Sequence, residues 1–193
     1  SLVGSEMCIR DSGSILMLFT ILYMLTILLM EKKDKEIYKG LSDTDALTGL
    51  LNQNSYLNRT AEMSRSGGLL IVFDVDNFKQ VNDCYGHLQG DACLAAIAAC
   101  LKKAYACCGY CYRIGGDEFC VLLKNTAREA ACAEEFLRQL EKKRKELTFL
   151  PTVSCGSAPL SGEDVVAVKD QADRAMYHHK KARKERAAAI VPE

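Results

Sequence analysis

The stretch Arg113-Ile114-Gly115-Gly116-Asp117-Glu118-Phe119 lies between two apolar, β-rich runs, 110–114 (YCYRI) and 119–123 (FCVLL). Two such runs around a pair of glycines predict a β-hairpin whose tip carries adjacent carboxylates. Glycine is expected there to supply the positive φ of a tight turn and to let a phosphate approach the backbone without a Cβ in the way. Asp117 and Glu118, side by side, can divide the work of holding a metal and taking a proton. The same heptapeptide also suits an acidic surface turn, and only its companions separate the two readings.

Working outward, 69–75 (LLIVFDV) is a short β-rich run and reads as a buried strand. Residues 91–106 form an Ala-rich helical pattern with Leu94, Ile97 and Leu101 on one side, 126–147 a long helix with a charged outer face, and 148–157 another strand. A helix over 163–186 follows, and 187–191 is expected to add an edge strand. The order βααββαβα predicts an α+β fold, a mainly antiparallel central sheet flanked by helices.

The 193 residues carry 25 basic and 25 acidic side chains, so net charge gives no case for nucleic acid as a partner. Ten cysteines lack the spacing of a disulfide framework; Cys93, Cys100, Cys120 and Cys132 sit in apolar patterns and read as reduced core residues. Cys107, Cys108 and Cys111 are close enough for zinc, but no fourth ligand is near, so an ordinary loop and strand start is expected.

Residues 1–12 (SLVGSEMCIRDS) show no periodicity and resemble a transposase sequencing adapter translated in frame, so an assembly scar is expected there. Residues 13–30 contain the apolar run 15–30 (ILMLFTILYMLTILLM), shorter than a full span and expected to be part of a transmembrane helix. Lys32, Lys33 and Lys35 follow it, which places the rest of the chain on the cytoplasmic side of the membrane. Residues 31–41 read as a charged helical linker, and 42–193 as the globular domain.

Asp74, at the end of the first strand, can face a metal held from the other side by Asp117; oxygen ligands of this kind suit Mg²⁺. Asp76 is expected to be the N-cap of the next helix. Asp91 is expected in a first helical turn, where a carboxylate suits the macrodipole; it could equally accept from the paired N1–H and N2–H₂ donors of guanine, with Asn82 adding an amide bond. Lys180 and Lys184 stand one helical turn apart and could hold a triphosphate, or simply be a solvated basic helix end. No Walker-type phosphate loop occurs in the chain.

Together these residues resemble the GGDEF family of diguanylate cyclases over about residues 41–184. The matching blocks are Asp45-Ala46-Leu47-Thr48-Gly49-Leu50-Leu51-Asn52, residues 73–83, residues 86–91 and residues 113–119, followed by Val153-Ser154-Cys155-Gly156 and the 172–177 helix. The resemblance implies a nucleotidyl-cyclase, palm-like domain that condenses two GTP into cyclic di-GMP, a bacterial second messenger. It implies that Asp74, Asp117 and the Val75 carbonyl bind divalent metal, Mg²⁺ or Mn²⁺, two ions per active site. Glu118 would complete that site and favour the 3′-hydroxyl as its alkoxide. Asn82 and Asp91 would read guanine; Lys79, Lys180 and Lys184 would neutralise phosphate; backbone amides at Phe78 and Gly115-Gly116 would cradle it. Catalysis would need a homodimer with one GTP on each protomer.

Three departures from the family pattern stand out. Asn52-Gln53-Asn54 replaces Asn-Arg-Arg, and Arg183-Lys184-Glu185 replaces Gly-Arg-Asn, losing the arginine fork. Ala106 and Gly109 occupy the positions of the inhibitory Arg-x-x-Asp site, so no feedback inhibition is expected there. A catalytically silent, GTP-binding regulatory domain is the alternative, against which the intact Asp74, Asp117 and Glu118 argue. Asp91 argues against an adenine-containing product.

Overall fold

Strand β1 (Gly68–Val75) buries apolar side chains on both faces, so both faces must be covered. Alternation sorts them. Ile71, Phe73 and Val75 join one core cluster, and Leu70 and Val72 join another. The computed structural model describes residues 15–33, 43–162 and 164–189, the side chains of 183, 184 and 186–189 excepted. Expectations placed on 1–12, on 34–41 and on the end of the chain therefore lie largely outside the described residues.

The chain divides into two units, Ser1–Ser42 and Asp43–Glu193. In the first, helix α1 (Ile15–Lys33) runs for 19 residues, beyond the end of the apolar run at Met30. Thr20 and Thr26 donate their hydroxyls to the Met17 and Tyr23 carbonyls, at 2.8 and 2.7 Å, so the helix satisfies both threonine hydroxyls itself.

In the second unit the elements follow as α2 (Gln53–Ser66), β1, α3 (Phe78–Tyr85), α4 (His87–Tyr105), β2 (Gly109–Arg113), β3 (Glu118–Leu123), α5 (Glu129–Glu146), β4 (Val153–Leu160) and α6 (Val165–Ala189). The sheet order is β2-β3-β1-β4, and every pair is antiparallel. Helices α4 and α5 cover one face through Leu94, Ile97, Leu101, Phe136 and Leu140. Helices α2 and α6 cover the other through Tyr56, Met63, Val168 and Ala172. Helix α6 lies so close on β4 that a Cβ at Gly156 would run into the backbone of Ala172 and Met176. The α+β expectation holds in these particulars.

Several local expectations are corrected. Helix α4 begins at His87, behind Gly86 at φ 84°, so Asp91 sits in its second turn and not its first. Gly90 is therefore helical, where the sequence pattern starts the helix only after it; a Cβ there would strike the Asn82 side chain. Asp76 is not the N-cap of α3. Asn77 takes that position in the left-handed region at φ 54°, while the Asp76 carboxylate is drawn inward by hydroxyls at the start of the neighbouring strand. The last strand starts at Val153, since Pro151 has no N–H for a ladder and 147–150 is closed as a turn. Residues 126–128 form a 3₁₀ turn before α5. Residues 187–189 continue α6, not an edge strand, as a run of alanines should.

Candidate active site

The C-terminal end of β1 meets the N-terminal end of β3, where Asp74 is the register partner of Glu118. Alternation then decides which face each acid takes. Asp74 shares the parity of Val72, and Glu118 that of Cys120; both of those residues pack in the cluster beneath α6. Lys180 of α6 reaches this end: its ammonium donates to the Asp74 carboxylate at 2.5 Å and stands 3.4 Å from Asp76. Burial alone would lower the Lys180 ammonium, but the hydrogen bond to Asp74 and the charges of Asp74 and Asp76 outweigh it and hold it above the ordinary lysine value.

Asp76 is buried, at 4% exposure, and works as a fastener. Its carboxylate accepts from Thr152 Oγ1 at 2.7 Å and Ser154 Oγ at 2.8 Å, and its amide donates to the Thr152 carbonyl at 2.9 Å. The start of β4 is thereby fixed against the end of β1.

The hairpin is a four-residue loop between Arg113 and Glu118, closed by the Ile114 amide donating to the Glu118 carbonyl at 3.0 Å. Neither Gly115 nor Gly116 adopts positive φ, contrary to the sequence expectation; a four-residue loop does not demand it. Space explains Gly115 better, because the Glu118 carboxylate folds back to within 3.0 Å of where its Cβ would stand. The Val75 amide donates to the Asp117 carbonyl at 3.3 Å, tying hairpin to β1.

Arg113 holds the loop from the other side. Its Nε and Nη2 donate to the Gly116 carbonyl at 3.2 and 2.7 Å, and its Nη1 donates to both Asp45 oxygens at 3.1 and 3.3 Å. Asp45 also accepts from the Thr48 amide and hydroxyl, at 2.9 and 2.6 Å. Burial would raise the Asp45 carboxyl, but the Thr48 bonds and the Arg113 guanidinium hold it below its ordinary value. Sequence reading assigned Asp45, Arg113, Thr152 and Ser154 no role. Asp45 and Arg113 are 68 positions apart, so no local spacing links them.

The proposed base readers stand on α3 and α4. Asn82 packs against Gly90, and its Oδ1 is buried with no hydrogen-bond partner among the described residues. Asp91 is exposed on α4, and Lys79 is exposed on α3 behind the half-buried Phe78. A cavity of about 300 Å³ lies on another side of α3, lined by Asp76, Asn77, Cys84, Tyr85 and Phe149, and contains neither Asn82 nor Asp91. The Lys184 side chain is outside the described residues.

Among the described residues, no three His, Cys, Asp or Glu side chains converge as a ready-made metal cluster. The donor chemistry nevertheless fits a hard divalent ion: the Asp74, Asp117 and Glu118 side chains offer oxygen only, and a cation already rests on Asp74 in the form of the Lys180 ammonium.

Fold and site together define an α+β domain whose antiparallel sheet presents a carboxylate hairpin at one end. The chain belongs to the GGDEF family: residues 42–186 match the family described as "Diguanylate cyclase, GGDEF domain". It is similar to diguanylate cyclase DgcP of Pseudomonas aeruginosa, at 36% identity over 81% of this chain and 26% of that protein. It is also similar to the cyclic di-GMP phosphodiesterase PdeR of Escherichia coli, at 34% identity over 84% of this chain and 26% of that one. The chain thus spans about a quarter of the length of these curated relatives. Among solved structures it resembles diguanylate cyclase SiaD in complex with its activator SiaC from Pseudomonas aeruginosa, with 27% identity and a TM-score of 0.66 over 90% of this chain and 72% of that chain. The coiled coil and GGDEF domain of DgcB from Caulobacter crescentus in complex with c-di-GMP is similar at 25% identity, with a TM-score of 0.66 over 81% and 90% of the two chains.

Proposed function

We propose that this chain is a membrane-tethered diguanylate cyclase that condenses two GTP into cyclic di-GMP and two pyrophosphates at the interface of two protomers. The observation that carries the reading is the juxtaposition of Asp74 and Glu118 across β1 and β3, with Lys180 reaching the same end of the sheet. The relatives named as diguanylate cyclases support it.

In this reading each protomer holds one GTP. Asn82 receives the guanine, its unpartnered buried oxygen accepting from a base N–H while the Asp91 carboxylate accepts from the N1–H and N2–H₂ pair. Lys79, Lys180 and Lys184 neutralise the triphosphate, and the amides of Phe78, Gly115 and Gly116 line its path. Glu118 takes the 3′-hydroxyl proton. The freed 3′-oxygen of one GTP attacks the α-phosphorus of the other in line, pyrophosphate leaves, and the second attack closes the ring. Divalent ions held by Asp74, the Val75 carbonyl, Asp117 and Glu118, Mg²⁺ or Mn²⁺ and two per site, would supply positive charge against the phosphates and the departing pyrophosphate. Most of the acceleration then comes from positioning, so an isolated protomer is nearly inactive.

Residues 42–193 make up the cyclase domain in this proposal, and α1 tethers it to the cytoplasmic face of the membrane; α1 is long and apolar enough to cross one. Ala106 and Gly109 leave the inhibitory product site of the family without its charged pair.

The second reading is a silent GTP-binding domain, favoured by the similarity to a protein named as a phosphodiesterase. The full chain in detergent micelles, given GTP and Mg²⁺, separates the two. Cyclic di-GMP identified by mass spectrometry, absent with Glu118→Gln and absent with ATP alone, supports the cyclase. GTP binding without product supports the silent domain.

A further inference from the structure

The turn between α4 and β2 presents two thiols that the proposed reaction does not use. Cys107 and Cys108 are adjacent, and their Sγ atoms lie 3.1 Å apart. Cys107 is exposed and Cys108 half-buried. Both line a cavity of about 390 Å³ shared with Tyr110, Lys124 and Arg128. The backbone around the pair is fixed: the Cys108 amide donates to the Tyr105 carbonyl at 2.9 Å, and the Lys124 amide donates to the Cys108 carbonyl at 3.1 Å. The thiols are therefore displayed from an anchored turn.

Cys111 does not complete a larger ligand set. It is buried, and its thiol is committed to the Leu101 carbonyl at 3.6 Å. A structural tetrahedral zinc site needs four protein ligands, and among the described residues no three His, Cys, Asp or Glu side chains gather to supply them. An internal disulfide is also a poor fit. Neighbouring Cα atoms across a trans peptide stand about 3.8 Å apart, below the roughly 4.4–6.8 Å that a disulfide prefers. A soft ion that takes two thiolates needs no S–S bond, and two sulfurs in contact offer it a bidentate grip. Thiolates select soft ions.

We infer that Cys107 and Cys108 form a vicinal dithiol site for a soft, thiophilic metalloid ion of the trivalent arsenical class. The hydrogen bond between the two thiols holds Cys107 above the ordinary thiol value, and binding displaces both thiol protons. With an organoarsenic(III) oxide, two S–H bonds break and two As–S bonds form. The two protons leave with the oxide oxygen as water, and arsenic stays trivalent throughout.

The test uses the full chain and phenylarsine oxide. One adduct per chain is expected, with two titratable thiols lost and both As–S bonds mapped to residues 107 and 108 by peptide mass spectrometry. A dithiol such as 2,3-dimercaptopropanol should remove the adduct where an equal concentration of monothiol does not. Cys107→Ser and Cys108→Ser should each weaken binding about 100-fold or more, since the second sulfur acts at high effective concentration. Unchanged affinity in either variant, or an adduct mapped to any other cysteine, overturns the site. Mapping on the unmutated chain keeps that outcome independent of how the variants fold.

Discussion

Asp76 illustrates how one side chain can fasten two strands. Its carboxylate is buried and accepts from Thr152 and Ser154 while facing the Lys180 ammonium. Asp76→Ala strands two hydroxyls and removes a charge partner, so a loss of about 1.5–3 kcal/mol is expected, read as a lower urea midpoint at unchanged m-value. A midpoint within error of the parent would show that the fastening adds nothing. Arg113 and Asp45 form a second residue-scale link, with side chains only 15% and 24% exposed. The folded Asp45 carboxyl lies below its unfolded value of about 3.9. Its stabilisation is therefore complete above roughly pH 4–5 and is lost as pH falls through the lowered folded value. The stability gap between the parent and Asp45→Asn should be flat from about pH 5 to 7 and should shrink below about pH 4. A gap that widens on acidification would contradict the ion pair.

At the scale of elements, the position of α6 sets the site. Gly156 lets the helix lie against β4, and Lys180, two turns beyond Ala172, then reaches Asp74. Gly156→Ala forces a methyl into the Ala172 and Met176 backbone, and overpacking of this kind costs about 1–3 kcal/mol. Thermal melting should show the loss, and amide exchange should rise along α6 while α4 and α5 on the other face stay protected. Uniform exchange across both faces would mean that α6 does not act as a separate layer.

For the whole molecule, α1 runs about 28 Å at 1.5 Å per residue, of which the apolar run 15–30 makes up about 24 Å, against the roughly 30 Å of a bilayer core. The chain should sediment with membranes and resist extraction by high salt while yielding to detergent. Leu22→Arg combined with Leu25→Arg should release it, each costing about 2.5–3.5 kcal/mol at the centre of a span. Salt extraction of the parent chain would rule out a span.

The sequence alone determined the α+β class and the hairpin and singled out the candidate acids, because short β-rich apolar runs, the glycine pair and the carboxylates are all local signals. Asp74, Asp117 and Glu118 could be chosen for their chemistry, and their neighbours in the chain give the context. What only tertiary structure decided was which groups meet. Lys180 lies 106 positions from Asp74, and Thr152 lies 76 from Asp76. The N-cap expected of Asp76 failed for the same reason: partners at the start of β4 outcompeted the local helix. Gly90 and Gly156 carry no local sign of their purpose, yet each marks a close approach, at Asn82 and at α6. A glycine is locally ambiguous between bend and contact, and only the packing of distant elements resolves it.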